Sequence, residues 1–360
     1  MLGRLLLSLE NNTPLRRIAT KFQIELWSGL ARPFNIRLLS LLCLTNRSCY
    51  PLHILKVYQL GEVVMKAKEQ RLIINEIRNA PELTQSFDMP TIAWPTIIIL
   101  FVSYIGFGLS SYALLSGLLS PFITVPINAF CIFWSFTPLH EAVHRSLSKF
   151  KWLNDLIGTF SAQLLLPGFS TSLCRYLHLT HHSRTGQEND PDLKFTDKNL
   201  LSCWINSAFL DVLWTRFYFT VWNERPVGER ARFALGLVLY IAMFAVAFSS
   251  NYAHEFILVF LMPTLLGRVL TVYLLATIQH RKGHEQRVDP IGATSIQDTN
   301  SKCWHHLFML GQSQHLIHHL YPGIPWYKYD PIWRFAKAKI PSASLRPSSY
   351  FSRNQNGLTS

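Results

Sequence analysis

Three short stretches of this chain carry histidines at helical spacing: "HEAVH" at residues 140–144, "HLTHH" at 178–182 and "HLIHH" at 315–319. Residues three and four apart share one face of an α-helix. His140 then aligns with His144, His178 with His181 and His182, and His315 with His318 and His319. Eight imidazoles can converge from three helices on a common volume. At this histidine content, chance supplies about 0.02 H-x-x-H-H strings, and the chain has two. Neutral imidazole is a ligand for iron, copper, nickel and zinc. A structural zinc site closes with four ligands and favours cysteine in small folds, so eight histidines are too many for one such ion. The count suits two ions able to take six ligands, with positions left open for a small molecule. Two irons activating dioxygen meet that description, and spacing alone leaves zinc and copper open.

Such clusters need helices to position them, and the composition says where those helices lie. Hydrophobic residues make up 49% of the chain and charged residues 15%, against roughly 25% charged in an ordinary soluble protein. No charged side chain occurs between Asp88 and Glu141, a run of 52 residues, whereas one crossing of a bilayer takes about 20. Pro121, within "SGLLSPF", divides the run into helices near 95–115 and 122–139. A second apolar region predicts crossings at 233–253 and 256–279, joined at "SSNYAHE". The expected fold is an all-α membrane protein with four transmembrane helices in two hairpins. Segments 153–169, with Asp155, and 200–222, with Asp211 and Arg216, read as interfacial helices.

An even number of crossings separates the three boxes, so all face one side. The two turns on the other side contain no Lys or Arg, and the positive-inside rule makes the histidine side cytoplasmic. The net charge of +13 is then an orientation signal, with attraction to anionic lipid or an acidic protein, rather than a sign of nucleic-acid binding. Arg268 falls inside the fourth crossing. A charge there implies a partner or polar cavity, or else a side chain that snorkels to the interface. The six scattered cysteines form no C-x-x-C pair, which argues against a disulfide scaffold and fits a reducing compartment.

Three regions are expected: an N-terminal extension at 1–64, a catalytic membrane domain at 65–340, and a disordered polar tail at 341–360. Met65 opens "MKAKEQRLIINEIRNAPEL", a charged amphipathic helix that reads as a natural beginning. The acid-poor stretch before it reads as a non-essential extension or a targeting arm.

The series H-x-x-x-H, H-x-x-H-H, H-x-x-H-H between two hydrophobic hairpins resembles the membrane fatty-acid desaturase/hydroxylase superfamily, over roughly residues 90–333. The flanks agree: "FTPLHEAVH", "HLTHHSRTGQENDPD" and "GQSQHLIHHLYPGIPWYKY". The last is most similar to bacterial-type β-carotene ring hydroxylases. The resemblance implies a non-haem di-iron centre, dioxygen as co-substrate, and electrons from a separate ferredoxin or b-type cytochrome. It implies His140, His144, His178, His181, His182, His315, His318 and His319 as ligands. It also implies one more just after the fourth crossing, where "TIQHRKGHE" places His280. His284, a turn later, is an alternative ligand or a supporting residue.

Metal-bound imidazoles usually give their other N–H to a carboxylate or carbonyl, and Glu141, Asp190 and Asp192 are candidates for that task. His305 and His306 read as interfacial or supporting, and His53 and His254 as unrelated to the site. Phe101, Phe107, Trp134, Phe136, Trp204, Phe217 and Trp222 are candidates for the apolar walls of a substrate site. No G-x-G-x-x-G, H-P-G-G or iron–sulfur cysteine set is present, so electrons must come from outside. Three functions follow: an acyl-chain desaturase in lipid metabolism, a carotenoid ring hydroxylase, and a histidine-rich membrane metal carrier without redox turnover.

Overall fold

The computed structural model describes residues 50–196, 199–280, 283–296 and 308–346, with side chains from residue 63 onward. Contacts divide the chain into residues 1–62 and 63–360. Of the first unit, only the backbone of 50–62 is described, as helix. That helix, α1 (Tyr50–Arg78), runs through Met65 without a break. Most of the expected extension at 1–64 lies outside the described residues, as do His305 and His306, the His53 side chain and residues 347–360.

The larger unit is helical, and no β-strand forms among the described residues; only two isolated bridges occur. Four helices are long and apolar enough to cross a membrane: α2 (Trp94–Leu115), α3 (Pro121–His144), α8 (Val227–Ser249) and α9 (Ala253–Thr277). Between the pairs lie α4 (Lys151–Leu165), α5 (Thr171–Arg184), α6 (Leu200–Ala208) and α7 (Leu210–Thr220). Two short elements, α10 (His315–Leu320) and α11 (Tyr329–Lys339), follow the fourth span. The four-span all-α membrane fold expected from the sequence is the one observed.

The boundaries explain how the boxes reach the site. Both α2 and α3 begin with proline in their first turn, where its missing N–H costs nothing. The second span was expected to end at 139, but α3 continues to His144 because Pro138 lies within the helix rather than ending it. At about 1.5 Å per residue, its 24 residues outreach a hydrocarbon core of about 30 Å. The first box is therefore the last turn of a span, not a separate helix. Arg145 takes a left-handed conformation (φ 59°) directly after His144 and stops it. Between 200 and 222 the helix breaks at Phe209. Neither half, nor the 15-residue α4, is long enough to span a bilayer.

Packing separates a central span from a peripheral one. The apolar window of α3 is 56% buried and that of α8 only 11%, so α3 is the hub and α8 turns its apolar side chains toward lipid. α3 packs along α2, α4 and α9. The main core joins Leu139 and Val143 of α3, Leu173 and Leu177 of α5, Trp214 and Tyr218 of α7, Phe233 and Val272. A second core seats α10 and α11 against α1, through Leu316, Ile317, Ile332 and Trp333 around Ile77. Leu345 packs on that core, and Arg346 O accepts from Ile296 N at 2.9 Å.

Arg268 has a partner. Its Nη1 lies 2.8 Å from Asp211 Oδ1 of α7, both side chains being buried. Its Nε donates to Leu165 O at 2.8 Å. The arginine thus clamps the fourth span to the interfacial layer. Two stretches of α9, Ile257–Leu261 and Tyr273–Thr277, are π-helical. The second ends three residues before His280, and such widened turns recur at functional sites because they re-aim the following side chain.

Candidate metal centre

Nine buried or half-buried imidazoles come together where α3 and α9 end. His140, His144, His178, His182 and His318 form one group, with ligand atoms all within 4.8 Å of one another. His181, His280 and His319 form a second. His315 joins them, its Nε2 lying 3.0 Å from His280 Nε2 and 3.1 Å from His319 Nε2. The stacked rings of His182 and His319, 4.1 Å apart, connect the groups. Each H-x-x-H-H box contributes to both, because its i, i+3 and i+4 members fan across the helix face.

The donor chemistry fits cations. Asp190 Oδ1 stands 2.9 Å from His181 Nδ1, and Gln286 Oε1 stands 2.7 Å from His319 Nδ1. Both oxygens are acceptors, so in the neutral ring each Nδ1 carries the proton and each Nε2 presents the lone pair that a cation can take. His140 Nε2 and His144 Nε2 are buried without a hydrogen-bond partner, a costly state that an ion removes. The Nε2 of His182 lies 3.1 Å from that of His178 and 2.9 Å from that of His318. Donors at right angles about an ion with bonds of about 2.1 Å are spaced about 3.0 Å apart. Five donors in one group also exceed the four of a closed structural zinc site.

Burial, then the crowding of other imidazoles, holds His178, His182, His280, His315, His318 and His319 well below the ordinary imidazole range. Neutral imidazole is the ligating form. At His181 burial also opposes the charged form, but Asp190 and then Asp192 outweigh it and raise the ring above its usual range.

The carboxylates divide. Asp190 and Asp192 stand behind His181, at 2.9 and 3.7 Å from its Nδ1. Glu141 touches no imidazole; its Oε2 accepts from Thr96 Oγ1 and its Oε1 from Trp326 N, each at 2.5 Å. One residue along a helix is about 100° of rotation, which turns Glu141 away from the face of His140. His284 is outside both groups, its Nδ1 against Arg346 Nη2. His254 is exposed at the start of α9, the far end of that span from His280.

Two supporting residues were not foreseen. Gln286 grips His319 twice, its Nε2 also donating to His319 O at 3.0 Å. The buried Tyr329 hydroxyl lies 3.1 Å from His318 Nδ1. Gly186 admits the Gln286 loop: with φ at 78°, it sits where a Cβ would stand 2.4 Å from His284 O. Gly311 does the same for the turn before His315, at φ 72° against Trp326 O.

An apolar cleft opens onto the imidazoles. Phe136, Leu165, Leu166, Phe195, Leu210, Trp214, Thr271, Val272, Leu275 and Ala276 line it, with His178, His181, His280, His315 and Asp192 at its head. Of the aromatic residues expected to form such walls, Phe136 does so. Phe101 and Trp204 are exposed, while Phe107, Phe217 and Trp222 pack on the main core.

Four apolar spans with imidazoles clustered at the head of an apolar cleft define a membrane protein with a candidate metal centre, and comparison with known proteins supplies the family. The family model for fatty acid desaturases matches residues 116–351. The chain belongs to the fatty acid desaturase family. It is similar to a β-carotene ketolase of Paracoccus sp. (strain PC1), 27% identical over 194 residues, 52% of this chain and 69% of the relative. It is similar to dihydrorhizobitoxine desaturase of Bradyrhizobium elkanii, 26% identical over 215 residues, 53% of this chain but only 60% of that protein's length. A shorter match, 45% identical over 62 residues and 16% of each chain, is to the sn-1 acyl-lipid omega-3 desaturase (ferredoxin) of Nostoc sp. (strain 36). The protein is therefore an oxidoreductase of the desaturase and hydroxylase type.

Proposed function

We propose that the protein is a membrane-bound non-haem di-iron oxygenase that desaturates an acyl chain in lipid metabolism. The observation that carries this reading is the division of nine imidazoles into groups of five and four at the head of an apolar cleft. The iron pair, when bound, supplies dioxygen reduction coupled to oxidation of an unactivated C–H bond. In the net reaction, dioxygen, two electrons, two protons and two chain hydrogens give a double bond and two waters.

The protein's own residues do the positioning. His140, His144, His178, His182 and His318 would hold one ion, and His181, His280, His315 and His319 the other. Asp190, Gln286 and Tyr329 fix ring orientation from behind. Phe136, Leu165, Val272 and Leu275 exclude water and align the chain. Electrons come from a separate ferredoxin or b-type cytochrome docking on the cytoplasmic face. That sidedness is supported by the absence of Lys and Arg from the two turns at the opposite end.

A carotenoid ring hydroxylase is the second reading, favoured by the third-box sequence and by similarity to β-carotene ketolases over half the chain. Expression with a reductase system in cells that make both unsaturable acyl lipids and β-carotene, followed by product profiling, separates the two. New double bonds in the acyl fraction support the desaturase. Hydroxylated carotenoid with an unchanged acyl profile overturns it.

A further inference from the structure

Two carboxylates face one ring nitrogen of His181, and only one of them is held by its own loop. Asp190 accepts from Gly186 N at 3.0 Å and from Asp192 N at 2.9 Å while bonding His181. Asp192 is held from elsewhere: its Oδ1 accepts the indole N–H of Trp214 at 2.8 Å. Its Oδ2 is thereby turned toward His181 Nδ1, 3.7 Å away. The indole nitrogen is donor-only, so the direction of this bond is fixed. Both residues are buried, at 7% and 6% exposure, where a carboxylate without a partner is costly. Trp214 also sits one helical turn after Leu210 on α7, and both line the apolar cleft with Asp192 and His181.

We infer that Trp214 is a positioning residue for the four-imidazole group. Its indole N–H holds the Asp192 carboxylate beside His181, where its charge acts on that ring from 3.7 Å and backs the Asp190 hydrogen bond, while the same indole forms part of the cleft wall. The linkage reaches one metal group only, because His181 belongs to the group with His280, His315 and His319. This rests on the two-ion reading of the site.

The test uses the full-length, detergent-solubilised protein loaded with iron, with metal release measured against increasing chelator. Trp214→Phe keeps the ring and removes the donor. Its expected effect is that one of two ions is lost about 10-fold more readily, as for other outer partners of ligating histidines, while the second ion is held as in the wild type. Asp192→Asn, which keeps an acceptor for Trp214 but removes the charge facing His181, should reproduce the selective loss. The double variant should lose little more than either single one, since the two residues act through one bond. Retention of both ions at wild-type affinity in either variant overturns the proposal. Equal weakening of both ions together with a lowered thermal midpoint also overturns it, in favour of a packing role. A wild-type protein that takes up no metal would instead remove the two-ion reading beneath it.

Discussion

Gln286 and His319 are joined by two hydrogen bonds, one to the ring and one to the backbone: Oε1 to Nδ1 at 2.7 Å, and Nε2 to the carbonyl at 3.0 Å. The pairing fixes both the tautomer of His319 and the place of its helix. It is the tightest outer contact in the four-imidazole group.

Gln286→Leu should therefore weaken metal retention by about 10- to 100-fold, read by chelator competition on purified protein. The family's activity should fall with it. Unchanged metal affinity would show that His319 needs no such support.

Tyr329→Phe removes the hydroxyl behind His318. His318 stands in the five-imidazole group, where four other rings would share an ion, so the expected loss of metal affinity is smaller, at or below about 10-fold. Helical content, read by circular dichroism, should be unchanged, since the ring stays in the second core.

These supporting residues show where sequence reading stops. Histidines at i, i+3 and i+4 announce a shared face, because helix geometry alone decides it. The 52-residue uncharged run announced the first hairpin in the same way. Gln286 is a different case: it lies on an irregular loop and meets a ring 33 residues away, and no period connects them. Tyr329 lies within a run of aromatics, and only its burial against His318 distinguishes it. Glu141 carried a usable warning, since the neighbour of a ligand on a helix faces elsewhere. His280 was expected only from the resemblance, and the structure places it beside His181 and His319; the π-helical turn before it leaves no signature in residue type.

Arg268 and Asp211 form a buried pair between the fourth span and α7. Arg268→Met alone should cost about 3–5 kcal/mol, because it leaves the buried Asp211 carboxylate without its counter-charge. Adding Asp211→Leu should restore most of that stability. Denaturant unfolding in detergent measures both, and a double variant no better than the single would contradict the pairing account.

Glu141 ties the first box to the loop after the third by accepting from Thr96 and Trp326 N. Glu141→Leu leaves the half-buried Trp326 N–H and the buried Thr96 hydroxyl without their acceptor, at a cost of about 1–3 kcal/mol. The effect should appear in the unfolding midpoint. Metal stoichiometry should hold in the folded fraction, since Glu141 touches no imidazole.

The central claim is that nine imidazoles gather two irons in neighbouring groups. Iron analysis of the purified full-length protein, alongside His144→Ala and His280→Ala, tests it most directly. The account predicts two irons per chain in the wild type and loss of a different one in each variant. Stoichiometric zinc without iron, or a single iron that both variants abolish, would contradict it.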